Sequence, residues 1–205
     1  MKKLFPLVTA CLLLALLSNF TAGPAGYQVG DKVADFKLRN VDGQLVSLAD
    51  NQAAKGYIVV FTCNTCPYAQ AYESRIIGLH QKYAAQGYPV VAINPNDEAT
   101  VPGDSFAAMK ARAASKQYPF PYLQDATQQV ARTFGATRTP HLYVVTRRGT
   151  DFVVSYIGAI DDNSEDATLV KTKYVEQAMT DILAGKPAAT SSTKAIGCTI
   201  KWKKA

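Results

Sequence analysis

Two stretches of the chain carry no polar face. Tyr57 to Phe61 reads YIVVF and Tyr88 to Asn94 reads YPVVAIN, continuous apolar runs of the kind that strands buried on both faces require. Between them Tyr72, Ile76, Leu79 and Tyr83 recur at three- and four-residue steps, which predicts a helix from about Asn64 to Ala85, ended by Gly87. Ahead of both, Asp35 to Asp50 alternates around Asp42-Gly43, a hairpin signal. Downstream, Asp104 or Ser105 predicts the cap of a helix running to about Lys116. Pro119 and Pro121 then interrupt the chain before YLQD, and ATQQVARTFG predicts a short helix closed by Gly135. HLYVV and FVVSYIG flank TRRGTD as a second hairpin, and an amphipathic helix is expected from about Glu165 to Leu183, before Gly185-Lys186-Pro187. This order predicts an α/β fold, one mixed sheet with helices on both faces.

The two ends read differently from the middle. Residues 1–25 carry Lys2 and Lys3, an apolar run from Leu4 to Leu17, and then small residues around Thr21 to Gly26, the layout of a cleavable signal peptide. The run is shorter than the ~20 apolar residues that span a bilayer, so no stable membrane span is expected after cleavage. Cys11 after Val8-Thr9-Ala10 loosely resembles a lipobox, and lipid anchoring is the alternative. The leader implies a periplasmic or otherwise exported protein. Residues 26–185 then form the domain, and 186–205 a tail that opens polar and closes on a small apolar patch at Cys198, Ile200 and Trp202. The net charge of +6 is spread over leader and tail lysines and implies no basic face, hence no nucleic-acid partner.

The chemistry lies in FTCNTCPYAQ, where Cys63 and Cys66 sit at the predicted strand-to-helix junction. Proline is tolerated in a helix only in the first turn, where the amides lack partners. Pro67 therefore places Cys63 near the N-cap and Cys66 one turn in. Free amides and the helix dipole there favour a thiolate, drawing a cysteine pKa from ~8.5 towards ~7 or below. A structural staple fits poorly, because so short a loop restricts the unfolded chain less than the ~15-residue loop worth ~3 kcal/mol. A zinc site needs four ligands, and no second CxxC is present. A dithiol that makes and breaks its own disulfide fits an exported compartment, and calls for neither metal nor cofactor. With Cys63, Cys66 and Cys198 the mature chain holds an odd number of thiols, so one is free, intermolecular or transiently paired.

FTCNTCPYAQAYESRI, VVAINPNDEATVPGDSFAAMKARA, YPFPYLQDATQQVARTFGATRTPHLYVV and GCTIKWK together resemble the exported thioredoxin-like redoxins related to the AhpC/TSA group. GYQVGDKVADFKL with DGQLVSL is similar to the N-terminal hairpin of that superfamily. The resemblance spans about residues 27–203. It implies a thioredoxin-like fold with an N-terminal hairpin extension, and thiol-disulfide exchange with protein thiols and disulfides and a redox partner protein. It makes Cys63 the attacking thiolate and Cys66 the resolving thiol. It also implies a cis Thr139-Pro140 opposite the dithiol, with Thr139 offering a β-edge to an extended substrate segment.

Other residues carry a bland and a functional reading. Cys198 is a buried small hydrophobe, or a third redox thiol brought to Cys66 or Cys63 by the returning tail. Trp202 pins that tail. His80 is a surface or half-buried helix residue, Tyr68 a wall, and Glu73 either solvated or a proton acceptor for Cys66. His141 either packs or approaches the dithiol. Two rival functions stand. A thiol peroxidase would use Cys66 before Pro67, with Thr62 or Cys63 lining the peroxide pocket and Arg138 nearby, although VVFTCNTC lacks the proline of that pattern. A Cu- or Zn-binding carrier would use Cys63, Cys66 and Cys198 or His141.

Overall fold

A computed structural model describes residues 26–204; the predicted leader and Cys11 lie outside them. In chain order the strands are β1 Lys32–Val33, β2 Lys37–Asn40, β3 Leu45–Ser47, β4 Gly56–Phe61, β5 Val90–Asn94, β6 Tyr122–Gln124, β7 Arg138–Thr139, β8 His141–Arg148, β9 Asp151–Gly158 and β10 Cys198–Thr199. The helices are α1 Pro67–Tyr83, α2 Phe106–Ser115, α3 Gln129–Phe134 and α4 Tyr174–Leu183.

The main sheet runs β1-β9-β8-β4-β5-β6-β2-β3, and β7 pairs separately with β10. β4, β5 and β6 are parallel neighbours, while β8 is antiparallel to β4. The two apolar runs of the sequence are thus the central strands, and every residue of β4 and β5 is buried. Alternate residues feed two cores. Ile58, Val60, Val90 and Ala92 pack against Tyr72, Ile76 and Leu79 of α1, Met109 of α2 and Met179 of α4. Val59, Phe61, Val91 and Ile93 face Ala131 and Phe134 of α3. This is the α/β thioredoxin-like arrangement, with the β2–β3 hairpin added at one edge.

Three boundaries differ from the predicted ones. YLQ becomes strand β6, which joins the hairpin to the centre by pairing with both β5 and β2. α4 begins at Tyr174 rather than near Glu165. Ahead of it, Asn163 Oδ1 accepts the Glu165 and Asp166 amides, and Asp166 Oδ1 accepts the Thr168 amide; such local side-chain bonds give the backbone an alternative to helix. Finally, α1 begins at Pro67, with Cys66 as its N-cap, which moves the capping position from one cysteine to the other. Among the described residues no helix is long and apolar enough to cross a membrane.

Candidate active site

β4 delivers the chain directly into Cys63-Asn64-Thr65-Cys66 and then α1. Pro67 occupies the first helical position, where its missing N–H removes no hydrogen bond. The helix therefore starts after Cys66, whose carbonyl accepts the Gln70 amide at 3.0 Å. Cys63 and Cys66 are both buried, 4% and 3% exposed, and both are reduced.

The Thr139-Pro140 peptide bond is cis, in accord with the resemblance. Thr139 meets both sulfurs: its Oγ1 lies 3.2 Å from Cys63 Sγ, and its carbonyl oxygen accepts from the Cys66 thiol at 3.1 Å.

A buried carboxylate fixes the loop between the cysteines. Asp104, 1% exposed, accepts the Asn64 amide at 2.6 Å, the Thr65 hydroxyl at 2.8 Å and Asn96 Nδ2 at 2.8 Å. Asn64 also receives the Tyr122 hydroxyl at 3.0 Å and donates to the Gly103 carbonyl at 2.9 Å. Ser105, not Asp104, caps α2. The sequence pattern offered Asp104 only as a cap; its hub role had one further trace, the polar Asn94 and Asn96 closing an otherwise apolar strand.

The two thiols differ in acidity. Cys66 is drawn down to about 5, chiefly by hydrogen bonding with Cys63, then by the Cys198 thiol and the Ala69 amide, against the cost of burial. Cys63 is pushed up by the proton it shares with Cys66, by burial and by the Asp104 charge. The Thr139 carbonyl contact opposes ionisation of Cys66. The helix N-terminus at Cys66 acts in the opposite direction. The capping position falls on Cys66 rather than on Cys63, and which of the two sulfurs attacks belongs to the function proposed below.

The tail completes the site. β10 pairs antiparallel with β7, Cys198 opposite Thr139, so the edge expected to receive a substrate segment is taken by the chain itself. Cys198 packs against Cys63, Cys66 and Ala69, as does Tyr68. Arg138 donates to the Gly197 carbonyl at 3.0 Å, Ile200 is buried, and the Trp202 ring lies under the Arg132 guanidinium at 4.3 Å.

Other candidates lie elsewhere. Glu73 is bound by Arg112 at 2.6 Å and Tyr118 at 2.7 Å; burial opposes its charge, yet these bonds hold its pKa below the ordinary value, leaving it no role as acceptor for Cys66. His80 Nδ1 accepts the Val90 amide at 3.2 Å. His141 Nδ1 accepts the Thr137 amide at 3.4 Å, and burial lowers its pKa to about 4. Among the described residues no group of three or more His, Cys, Asp or Glu side chains is arranged to hold a metal ion.

Residues 29–162 match the AhpC/TSA family. An uncharacterized conserved protein from Geobacillus kaustophilus is 34% identical, with a TM-score of 0.80, over 87% of this chain and 94% of its own. A hypothetical protein from Sinorhizobium meliloti 1021 is 31% identical, TM-score 0.80, over 88% of this chain and 97% of its own. Peroxidoxin BcpB from Mycobacterium tuberculosis shares the fold alone, at 21% identity and a TM-score of 0.53 over 63% of this chain and 84% of its own. The comparison with curated proteins gave no match. On the match over 29–162 and the two relatives above 30% identity, the chain belongs to the AhpC/TSA family.

Proposed function

We propose that this redoxin is an exported thiol-disulfide oxidoreductase that exchanges disulfides with protein thiols through Cys63 and Cys66. The observation that carries the reading is the pairing of two buried, reduced thiols at one helix N-terminus, with Thr139 of the cis-proline loop against both sulfurs. A low-pKa sulfur is ionised at neutral pH and ready to attack, and a high-pKa partner keeps its proton until it is needed.

In the reducing direction the Cys66 thiolate attacks one sulfur of a substrate disulfide. The substrate S–S bond breaks, and the departing thiolate takes up a proton. Cys63 then loses its proton and attacks Cys66, which releases the second substrate thiol and leaves Cys63–Cys66 oxidised. This order reverses the roles that the resemblance implies. Export rests on the leader pattern in residues 1–25, and an oxidising compartment suits a dithiol that cycles.

A peroxidase reading has one observation in its favour: Cys66, directly before Pro67, caps the helix and is the acidic thiol. Against it, the Arg138 guanidinium donates to the Gly197 carbonyl of the tail. Stopped-flow mixing of the reduced protein with a peptide disulfide or with hydrogen peroxide separates the two. The exchange reading expects rapid reaction with the disulfide, lost in Cys66→Ser, and a mixed disulfide that accumulates when Cys63→Ser and Cys198→Ser are combined, so that neither neighbouring thiol can displace it. Faster consumption of peroxide, with slow disulfide reaction, would favour the peroxidase.

A further inference from the structure

Cys63 and Cys66 are only 4% and 3% exposed, so a folded protein thiol reaches their sulfurs less readily than that of Cys198. Cys198 is the partly exposed thiol that packs against the Cys63, Cys66 and Ala69 cluster.

The position of Cys198 is built rather than incidental. Strand pairing sets it opposite Thr139, the residue that touches both other sulfurs. The adjoining Gly197 lies so close to the Thr139 backbone that a Cβ there would collide with it. Beyond Cys198, the Lys201 amide donates to Asn96 Oδ1 at 2.9 Å, and the Lys201 carbonyl accepts the Asp97 amide at 2.9 Å. Asn96 in turn donates to Asp104, which holds the loop between Cys63 and Cys66. The register of the tail and the geometry of the dithiol loop thus share one hydrogen-bond network.

We infer that Cys198 is the third redox thiol of this site and the outlet through which the buried disulfide reaches other proteins. This rests on the exchange chemistry proposed for Cys63 and Cys66. Starting from the Cys63–Cys66 disulfide, the Cys198 thiol gives up its proton and its sulfur attacks Cys66. A Cys66–Cys198 bond forms as the Cys63–Cys66 bond breaks, and the electron pair leaves on Cys63, which takes the proton. No external oxidant enters this step. A protein thiolate then attacks the partly exposed Cys198 sulfur and expels Cys66, the better leaving group because its thiol is the more acidic. This leaves Cys198 joined to that protein, and a second thiol of the same partner releases it.

The test uses the full chain, oxidised by oxidised glutathione, blocked with N-ethylmaleimide and mapped for disulfides by peptide mass spectrometry. Cys63→Ser is expected to trap a Cys66–Cys198 linkage. Cys198→Ser is expected to form Cys63–Cys66 but to be reduced by reduced thioredoxin roughly tenfold more slowly, or worse, than wild type, since a thiol must reach the sulfur it attacks. Absence of the Cys66–Cys198 linkage, or thioredoxin reduction of Cys198→Ser at the wild-type rate, overturns the inference even where Cys63–Cys66 forms normally. Failure of the wild type to form Cys63–Cys66 at all overturns the underlying exchange reading with it.

Discussion

At the scale of single residues, Asp104 and Cys66 hold most of the site's electrostatics. Asp104 accepts from the backbone of Asn64 and the side chains of Thr65 and Asn96 in a place without water access. Each buried donor left without a partner costs about 1–3 kcal/mol, so Asp104→Ala is expected to lose roughly 3 kcal/mol or more in urea unfolding. The same change removes a negative charge that raises the Cys63 pKa, so the pH profile of Cys63 alkylation should move to lower pH. Sequence pattern could not show this hub, because Asn64 and Asp104 lie 40 residues apart and meet only once β5 and α2 are packed. The pH dependence of stability follows from Cys66. Its folded pKa of about 5 lies below the ~8.5 of an unfolded cysteine, so between those values the unfolded chain binds the extra proton. Stability of the reduced protein therefore gains with rising pH across that window and is lost as pH falls through about 5. Cys66→Ser should lack that gain in urea midpoints measured across the same range; an identical profile would mean that Cys66 is not the ionised sulfur.

At the scale of elements, the apolar runs, both hairpins and the three- and four-residue spacing of α1 were legible because burial imposes those periods directly. The start of α1 was legible only to within a turn. Proline restricts the first turn but does not say which of its positions it takes, and that difference decided which cysteine caps the helix. α4 lost its predicted first turns to Asn163 and Asp166, whose side chains bind nearby amides. β6 was hidden by brevity: three residues between Pro121 and Asp125 acquire strand form from β5 and β2 on either side. β10 is the element most open to test. Gly197→Ala places a methyl against the Thr139 backbone, so the β7–β10 pairing should open. Alkylation of Cys66 is then expected to rise roughly tenfold or more, the effect of about 1.4 kcal/mol on a local opening equilibrium. An unchanged alkylation rate would show that the tail does not cover Cys66.

At the scale of the whole molecule, the thioredoxin-like sheet brings three separate chain segments to one point. These are the end of β4, the loop before β8, and a tail that returns past α3. The first two follow from the strand order. The third was legible only as a length of polar linker ending in an apolar patch; the docked state depends on Ile200 entering the core and on the Thr193 hydroxyl bonding Tyr156 and Ala159, contacts without local pattern. Tail, cis-proline loop and dithiol thus form one unit, so chemistry and access are set together. The most direct measurement is a single turnover of the reduced protein with a peptide disulfide, followed by stopped flow across pH with the products mapped by mass. The rate should follow the ionisation of one group near pH 5, the product should carry a Cys63–Cys66 disulfide, and Cys66→Ser should not react. A Cys66→Ser protein that still reduces the disulfide at the wild-type rate would contradict the assignment.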